Sequence, residues 1–172
     1  MTLYIAFFRG LNVGGKNIIP MKGLAALMES CGYQNVKTYI QSGNVVFYGV
    51  TAPGLEIVTA VEREYGFKPD VLFLQESELL DAIEHGPFNS EEGKTSHFYF
   101  CKTKPKLDQA KLKKYAAESE RYDLVGNVFY LHAPSGIGRS KLVANIESCL
   151  GAVATGRNLN TINKVLEMMR NA

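Results

Sequence analysis

The first stretch with chemical potential is a glycine-rich loop, FFRGLNVGGKNIIP, which runs from Phe7 to Pro20. Within it, Gly10 to Lys16 has the spacing G-x-x-x-x-G-K with which P-loops bind phosphate. The rest of that motif is missing, because Asn17 stands where a Ser or Thr hydroxyl would hold Mg²⁺ and Pro20 predicts an extended exit instead of an immediate helix. The loop therefore does not indicate a nucleoside triphosphatase.

The same loop has the composition of an anion nest. Its glycines allow backbone N–H groups to face outward, Asn12 offers an amide, and Arg9 and Lys16 add positive charge. A surface loop whose Gly and Asn residues serve only turns fits the pattern equally well. Both interpretations stay open at the level of sequence.

A second polar segment, QSGN, lies between two short β-rich runs. Gln41, Ser42 and Asn44 fall at a predicted strand end, where side chains can be held firmly enough to form a site. The alternative is a hairpin turn in which Asn44 bonds the local backbone. Ser42 lacks the G-x-S-x-G context of a nucleophile, so the segment predicts binding or a turn and not acyl transfer.

A third segment, GIGRSK, leads from a predicted strand into a predicted helix. The free N–H groups of that helix start, together with Arg139 and Lys141, could converge on one anion. Ser140 is also a typical N-cap residue, and the two cations could simply be solvated. The segment therefore predicts an anion site or an ordinary helix cap.

A fourth segment, TGRN, precedes the last predicted helix. Asn160 or Thr161 is expected to cap that helix, which leaves Arg157 and Asn158 without an evident structural role. The planar guanidinium of an arginine suits phosphate or carboxylate. We therefore include Arg157 and Asn158 among the candidate ligand-binding residues.

The elements that must position these loops follow the order β-α-β-β-α-β in the first half of the chain. Apolar runs, helical spacing and glycine stops predict strands at 3–8, 36–41, 45–48 and 70–75 and helices at 20–31 and 53–66. A helix at 77–85 and a polar linker follow. The order then begins again with strands at 96–102, 122–125 and 128–132, helices at 108–119 and 140–150, a possible last strand at 152–155 and a final helix at 160–170.

This order predicts an α+β fold of two tandem ferredoxin-like subdomains with antiparallel sheets and a C-terminal helix. The expected boundaries are 1–76 for the first subdomain, 77–95 for a short helix and linker, and 96–172 for the second subdomain with its C-terminal helix. A chain of 172 residues with 46% hydrophobic residues can bury the core that such a fold needs.

Composition limits the cellular context and the partners. Residues 1 to 101 hold 7 Lys/Arg and 11 Asp/Glu, whereas residues 102 to 172 hold 12 and 6, so an anionic partner is expected to meet the second half. Three widely spaced cysteines without a Cys-x-x-Cys pair predict buried free thiols. With no signal peptide and no membrane-length apolar run, the expected location is the cytoplasm.

Four segments together resemble one bacterial family: RGLNVGGKNIIPMKGL, TYIQSGNVVF, GIGRSKL and TGRNLNTINKVLEM. Their sequences resemble those of the family known as the domain of unknown function numbered 1697. The resemblance implies a cytoplasmic α+β protein with ferredoxin-like subdomains, and it implies no activity. Mapped onto this chain, the family's signature positions are Arg9, Asn12, Gly14, Gly15, Gln41, Ser42, Gly43, Asn44, Arg139, Ser140, Lys141, Arg157, Asn158, Asn160 and Thr161.

The leading hypothesis is a pocket between the subdomains for a small phosphate- or carboxylate-bearing ligand. Nucleic-acid binding and protein interaction stay open as alternatives. The sequence names no cofactor, metal site, oligomeric state or complete catalytic motif, and so it leaves open whether the protein is an enzyme. The residues expected to bind the ligand are Arg9, Asn12, Lys16, Gln41, Ser42, Asn44, Arg139, Ser140, Lys141, Arg157 and Asn158.

Overall fold

The structure, a computed structural model, describes residues 1–172 and contains eight strands and seven helices. The elements in chain order are β1 (Thr2–Arg9), α1 (Met21–Ser30), β2 (Gln34–Tyr39), β3 (Asn44–Gly49), α2 (Leu55–Tyr65), β4 (Asp70–Gln75), α3 (Glu76–Glu84), β5 (Ser96–Cys101), α4 (Gln109–Tyr115), β6 (Arg121–Val125), β7 (Val128–His132), α5 (Lys141–Ala144), α6 (Ile146–Leu150), β8 (Ala154–Asn158) and α7 (Leu159–Arg170).

The chain divides into two compact units. The first unit comprises Met1–Leu80 and Lys164–Ala172, and the second unit comprises Asp81–Asn163. The helices α3 and α7 each contribute residues to both units.

The first unit is built on one antiparallel sheet with the strand order β2-β3-β1-β4. The unbroken apolar run of β1 takes the centre, where Ile5 pairs with Val46 on one side and Leu74 on the other. A strand paired on both sides has no exposed backbone edge, which suits a sequence without alternating polar residues. Order and direction are those of the predicted ferredoxin-like unit.

The core of the first unit lies on one face of this sheet. Alternate β1 side chains, including Phe8, face α1 and α2, because successive residues of a strand point to opposite faces. Leu24 and Met28 of α1 and Ile57 of α2 are fully buried there. The helices are therefore fixed by their apolar stripes, as their spacing in the sequence predicts.

The second unit repeats the arrangement with the order β6-β7-β5-β8, again antiparallel throughout. Its core joins Tyr99 and Phe129 of the sheet to Leu112, Leu142 and Cys149 of the helices. The predicted fold class of two ferredoxin-like subdomains with a C-terminal helix is thereby confirmed. No helix in the structure combines the length and the apolar character needed to cross a membrane.

Three predicted elements in the second half need correction. The single helix expected at 140–150 is two short helices separated by Asn145, whose side-chain amide donates to the Lys141 carbonyl at 2.8 Å. The helix expected to reach residue 119 ends at Tyr115, because Ala116 is already extended. The last strand is Ala154–Asn158 and not 152–155, and it pairs with β5.

Two of the three free cysteines are buried, as expected. Cys101 and Cys149 lie in the core of the second unit, whereas Cys31 is only half-buried. Burial raises the pKa of the Cys101 thiol to about 11 and also raises that of Cys149. Neither buried thiol is therefore a reactive thiolate at neutral pH.

The edge strand β2 departs from regular pairing. Its register with β3 shifts between Gln34 and Lys37, and Asn35 within this bulge has φ +50. An extra residue in one strand of a pair leaves the ladder locally unpaired and increases the twist. The outer edge of the first sheet is therefore irregular.

We expect Gly43→Ala to lower the free energy of unfolding by about 2–4 kcal/mol, the sum of left-handed strain and overpacking. Gly43 has φ +86, and an added Cβ would lie 2.8 Å from the Phe8 Cβ and 2.9 Å from the Leu11 Cδ1. Gly66→Ala is the matched control, since Gly66 has φ +79 with open space around it and should cost only about 1 kcal/mol. Chemical denaturation measures both, and equal losses would contradict the packing argument.

Candidate functional site

The glycine-rich loop after β1 contains a two-residue hairpin. Gly14 and Gly15 have φ +59 and +73, the two positive values of a type I′ turn, and the Lys16 N–H donates to the Val13 carbonyl at 3.0 Å. The Asn12 N–H donates to the Asn17 carbonyl at 3.1 Å. Helix α1 begins only at Met21, so the loop does not have P-loop geometry.

The side-chain amide of Asn12 organises the first unit's loops. Its Oδ1 accepts from the Ile19 N–H at 2.9 Å, and its Nδ2 donates to the Ile19 carbonyl at 3.1 Å and to the Gln41 carbonyl at 2.8 Å. One side chain thereby joins the two ends of its own loop and the turn before β3. We call residues 10–19 and 40–43 the double loop.

Hydrogen bonds from the side chain of Asn44 stabilise the turn at residues 40–43 of the double loop. This residue is fully buried, and its Nδ2 donates to the Tyr39 carbonyl at 3.0 Å and to the Ser42 Oγ at 3.2 Å. Gly43 accepts from the Phe8 N–H at 2.9 Å. The amides of Asn12 and Asn44 thus have structural partners, which agrees with the turn interpretation of both segments.

The cations of the first unit differ in their environments. The Arg9 guanidinium forms an ion pair with Asp70 at 3.2 Å across neighbouring strands. Lys16 is exposed next to the glycine turn of the double loop, and Gln41 is exposed in its second segment. The structure therefore gathers Arg9, Asn12, Lys16, Gln41, Ser42 and Asn44 at one end of the first sheet.

The second unit has a cleft between the turn 117–120 and the loop 133–140. Its volume is about 340 Å³, and it is lined by Ala117, Ser119, Glu120, Ala133, Ser135, Gly136, Arg139 and Ser140. Glu120 joins the two walls, since its Oε1 accepts from the Ala117 N–H at 2.8 Å and its Oε2 accepts from the Ser140 hydroxyl at 2.7 Å. The cleft therefore has a fixed shape.

Ser140 is an N-cap, as one of the two sequence interpretations predicts. Its Oγ accepts from the Val143 N–H at 3.2 Å while its proton is donated to Glu120. Arg139 is exposed in the cleft, and Lys141 is exposed beside it without contributing to the lining. Among the candidate residues of the second unit, Arg139 and Ser140 are thus brought to one cavity.

Arg157 and Asn158 point to opposite faces of the second sheet. Arg157 pairs with Phe98, on the face away from the helices, and desolvation lowers the pKa of its guanidinium to about 10, which still leaves it charged at neutral pH. Asn158 Oδ1 accepts from the Thr161 N–H at 2.9 Å and caps α7. The expectation that Asn160 or Thr161 would be the cap was wrong, because the helix begins at Leu159.

Nucleic-acid binding by a four-stranded sheet would need exposed aromatic side chains on which bases can stack, and the seven candidates for this role on the two sheets are mostly internal. Tyr39 is half-buried. Burial argues against stacking on the other six, which are Phe47, Phe98, Tyr99, Phe100, Phe129 and Tyr130.

The sequence patterns did not single out His97. It lies in β5 on the same face as Tyr99, is 6% exposed, and its Nε2 has no hydrogen-bond partner. Desolvation lowers the pKa of its imidazole, nearby His132 acts in the same direction, and a hydrogen bond to the Lys94 backbone opposes them. A histidine inside the apolar run SHFYFC was the one available signal.

We expect Asn12→Gly to lower the free energy of unfolding by about 2–4 kcal/mol, because three hydrogen bonds are lost and the N–H and carbonyl of the buried Ile19 become unsatisfied. Glycine keeps the positive φ of +55 accessible, so backbone strain does not contribute. Asn17→Gly is the matched control, since Asn17 also has a positive φ but donates one side-chain bond, to the Gly10 carbonyl at 3.2 Å. It should cost under about 1 kcal/mol in urea denaturation; similar losses would show that Asn12 has no special role.

We expect acid to destabilise the protein through His97. The unfolded chain takes up the proton near the usual pKa of 6.5, whereas the native imidazole does so only at lower pH. As pH falls below 6.5, stability is therefore lost by up to about 1.4 kcal/mol per pH unit until the native pKa is reached. Melting temperatures between pH 7.5 and 5.5 should fall in the wild type and change less in His97→Asn.

We expect His85→Asn to change the pH dependence of stability in the opposite direction from His97→Asn. The Asp81 carbonyl raises the pKa of the exposed His85, so this residue stabilises the native state as pH falls through its native pKa. Its removal should steepen the acid loss that removal of His97 flattens. If melting temperature depended on pH in the same way in both variants, the opposite roles assigned to His97 and His85 would be wrong.

No curated protein matches the sequence. The chain is similar to the conserved bacterial protein SP0830 from Streptococcus pneumoniae, with a TM-score of 0.68, 24% identity, and coverage of 97% of this chain and 98% of that chain. At this identity the likeness shows a common fold and nothing about activity.

A family model described as "Protein of unknown function (DUF1697)" matches residues 1–130. This range contains the double loop and the whole first sheet, together with β5, α4 and β6 of the second unit. Because the match covers most of the chain, the protein belongs to the DUF1697 family.

Proposed function

We propose that the second unit binds a small ligand carrying a phosphate or carboxylate group in the cleft beside Arg139. The observation that carries the proposal is a cavity of about 340 Å³ whose lining residues include the exposed Arg139. Pockets for small molecules span on the order of 300–1,000 Å³, so this cleft suits a ligand at the small end. A guanidinium can donate two parallel hydrogen bonds to either acid group.

The carboxylate of Glu120 narrows the ligand class. Each of its oxygens already accepts one hydrogen bond, and a carboxylate oxygen can accept a second. A purely anionic ligand would be repelled by this group, whereas a hydroxyl or amino group would be bound by it. The favoured ligand therefore carries an acid group and a hydrogen-bond donor, as sugar phosphates and amino acids do.

The walls of the cleft support binding because they are fixed before a ligand arrives. The Glu120 bond to Ser140 joins the two walls, the Glu120 bond to Ala117 fixes the turn 117–120, and Ser140 is itself fixed by the Val143 N–H. A prearranged site loses less conformational entropy when it binds. Ser135 and Gly136, which also line the cleft, are exposed to solvent.

We expect a thermal-shift panel of inorganic phosphate, sugar phosphates, nucleotides and amino acids to contain a ligand whose effect is lost in Arg139→Ala. At 100 times its dissociation constant, a ligand adds about 2.7 kcal/mol to the free energy of unfolding. Lys141→Ala is the matched control, since it removes a neighbouring exposed charge outside the cleft and should keep the effect. Titration calorimetry would give the affinities.

A third variant tests the ligand class. Glu120→Gln should weaken the binding of a ligand with an amino group and strengthen the binding of a ligand that presents only acid groups. The proposal fails if no compound raises the melting temperature, or if Arg139→Ala binds as tightly as the wild type. Equal losses in Arg139→Ala and Lys141→Ala would indicate diffuse electrostatic attraction instead of a site.

A further inference from the structure

The double loop of the first unit exposes three aliphatic side chains. The exposed fractions are 63% for Val13, 55% for Ile18 and 48% for Ile40. Each is the immediate chain neighbour of a residue that contributes to the Asn12 hydrogen bonds, namely Asn12 itself, Ile19 and Gln41. The Asn12 amide therefore fixes the backbone next to each of these three side chains.

Ile40 is in an unfavourable backbone conformation as well as exposed. Its φ is +49, a left-handed value that is an outlier for a β-branched residue and is ordinarily taken by Gly or Asn. The surrounding bonds enforce it, because Gly43 donates to the Ile40 carbonyl at 3.3 Å and Asn44 binds the preceding carbonyl. Neither packing nor backbone preference accounts for isoleucine here, whereas contact with a partner would.

The two chain segments that carry the double loop bear positive charge. Residues 10–22 and 37–44 contain Lys16, Lys22 and Lys37 and no Asp or Glu. Lys22 lies in the first turn of α1, which has no acidic residue to offset the positive end of its helix dipole. Asp70 is the nearby acid of β4, and it is paired with Arg9.

We propose that the double loop binds an acidic peptide segment of another protein, with Val13, Ile18 and Ile40 as its apolar contacts. Charge complementarity selects acidic side chains, and the aliphatic contacts favour a peptide over an inorganic or small organic anion, which would leave them unused. Gly14 and Gly15 have open space where side chains would be, so a partner backbone can approach closely. This inference does not depend on the cleft of the second unit.

The test is a selection of short random peptides on the full-length protein. The selected sequences should be rich in Asp and Glu together with aliphatic residues, and their affinity should fall with increasing salt. Ile40→Asn should weaken their binding at least about tenfold. The same substitution should raise the melting temperature or leave it unchanged, because Asn tolerates the left-handed conformation. Loss of binding therefore cannot be attributed to unfolding.

Val50→Ser is the matched control, because Val50 is an 80% exposed aliphatic residue of the first unit outside the double loop. It should leave peptide affinity unchanged, and Lys16→Gln should reduce the salt dependence. The proposal is overturned if no peptide is selected, if the peptides lack acidic enrichment, or if Ile40→Asn binds as tightly as the wild type. It is also overturned if Ile40→Asn instead abolishes oligonucleotide binding or self-association in light scattering.

Discussion

The surface loops of the first unit depend on the hydrogen bonds of one partly buried side chain, the amide of Asn12. A loop of glycines and asparagines has few side chains with which to pack, so its backbone must be fixed by polar bonds. The Asn12 amide meets this requirement by joining its own loop to the turn before β3. Positive φ at Asn12 and Asn17 is acceptable because the asparagine side chain can satisfy the local backbone. The positions of the exposed residues of the double loop therefore depend on the Asn12 amide.

In the second unit, the side chain that joins two loops is a charged carboxylate instead of an amide. Glu120 joins two loops as Asn12 does, but a carboxylate can only accept hydrogen bonds, and it adds a negative field beside Arg139. The two units therefore share one topology but differ in surface chemistry. The first unit exposes aliphatic side chains beside lysines, and the second unit has a cleft lined by both an acidic and a basic residue. The similarity of the units lies in strand order and not in their surfaces.

The features predictable from sequence are those that local chemistry decides. Apolar periodicity, the Gly66 helix end and the Ser140 cap are each determined within one or two helical turns. The Asn12–Gln41 bond joins positions 29 residues apart, and no local pattern selects it. The cap of α7 was misassigned because its start offers several equivalent polar residues, and only the pairing of β8 decides among them.

The irregular edge of the first sheet affects how the molecule behaves at high concentration. An edge strand normally offers a row of unpaired backbone groups to any extended chain. The bulge between Gln34 and Lys37, together with the lysine charge, interrupts that row. Another copy of the chain cannot extend the ladder across the bulge without leaving N–H and C=O groups unpaired. The β2 edge is therefore a poorer template for intermolecular β-pairing than a regular edge strand.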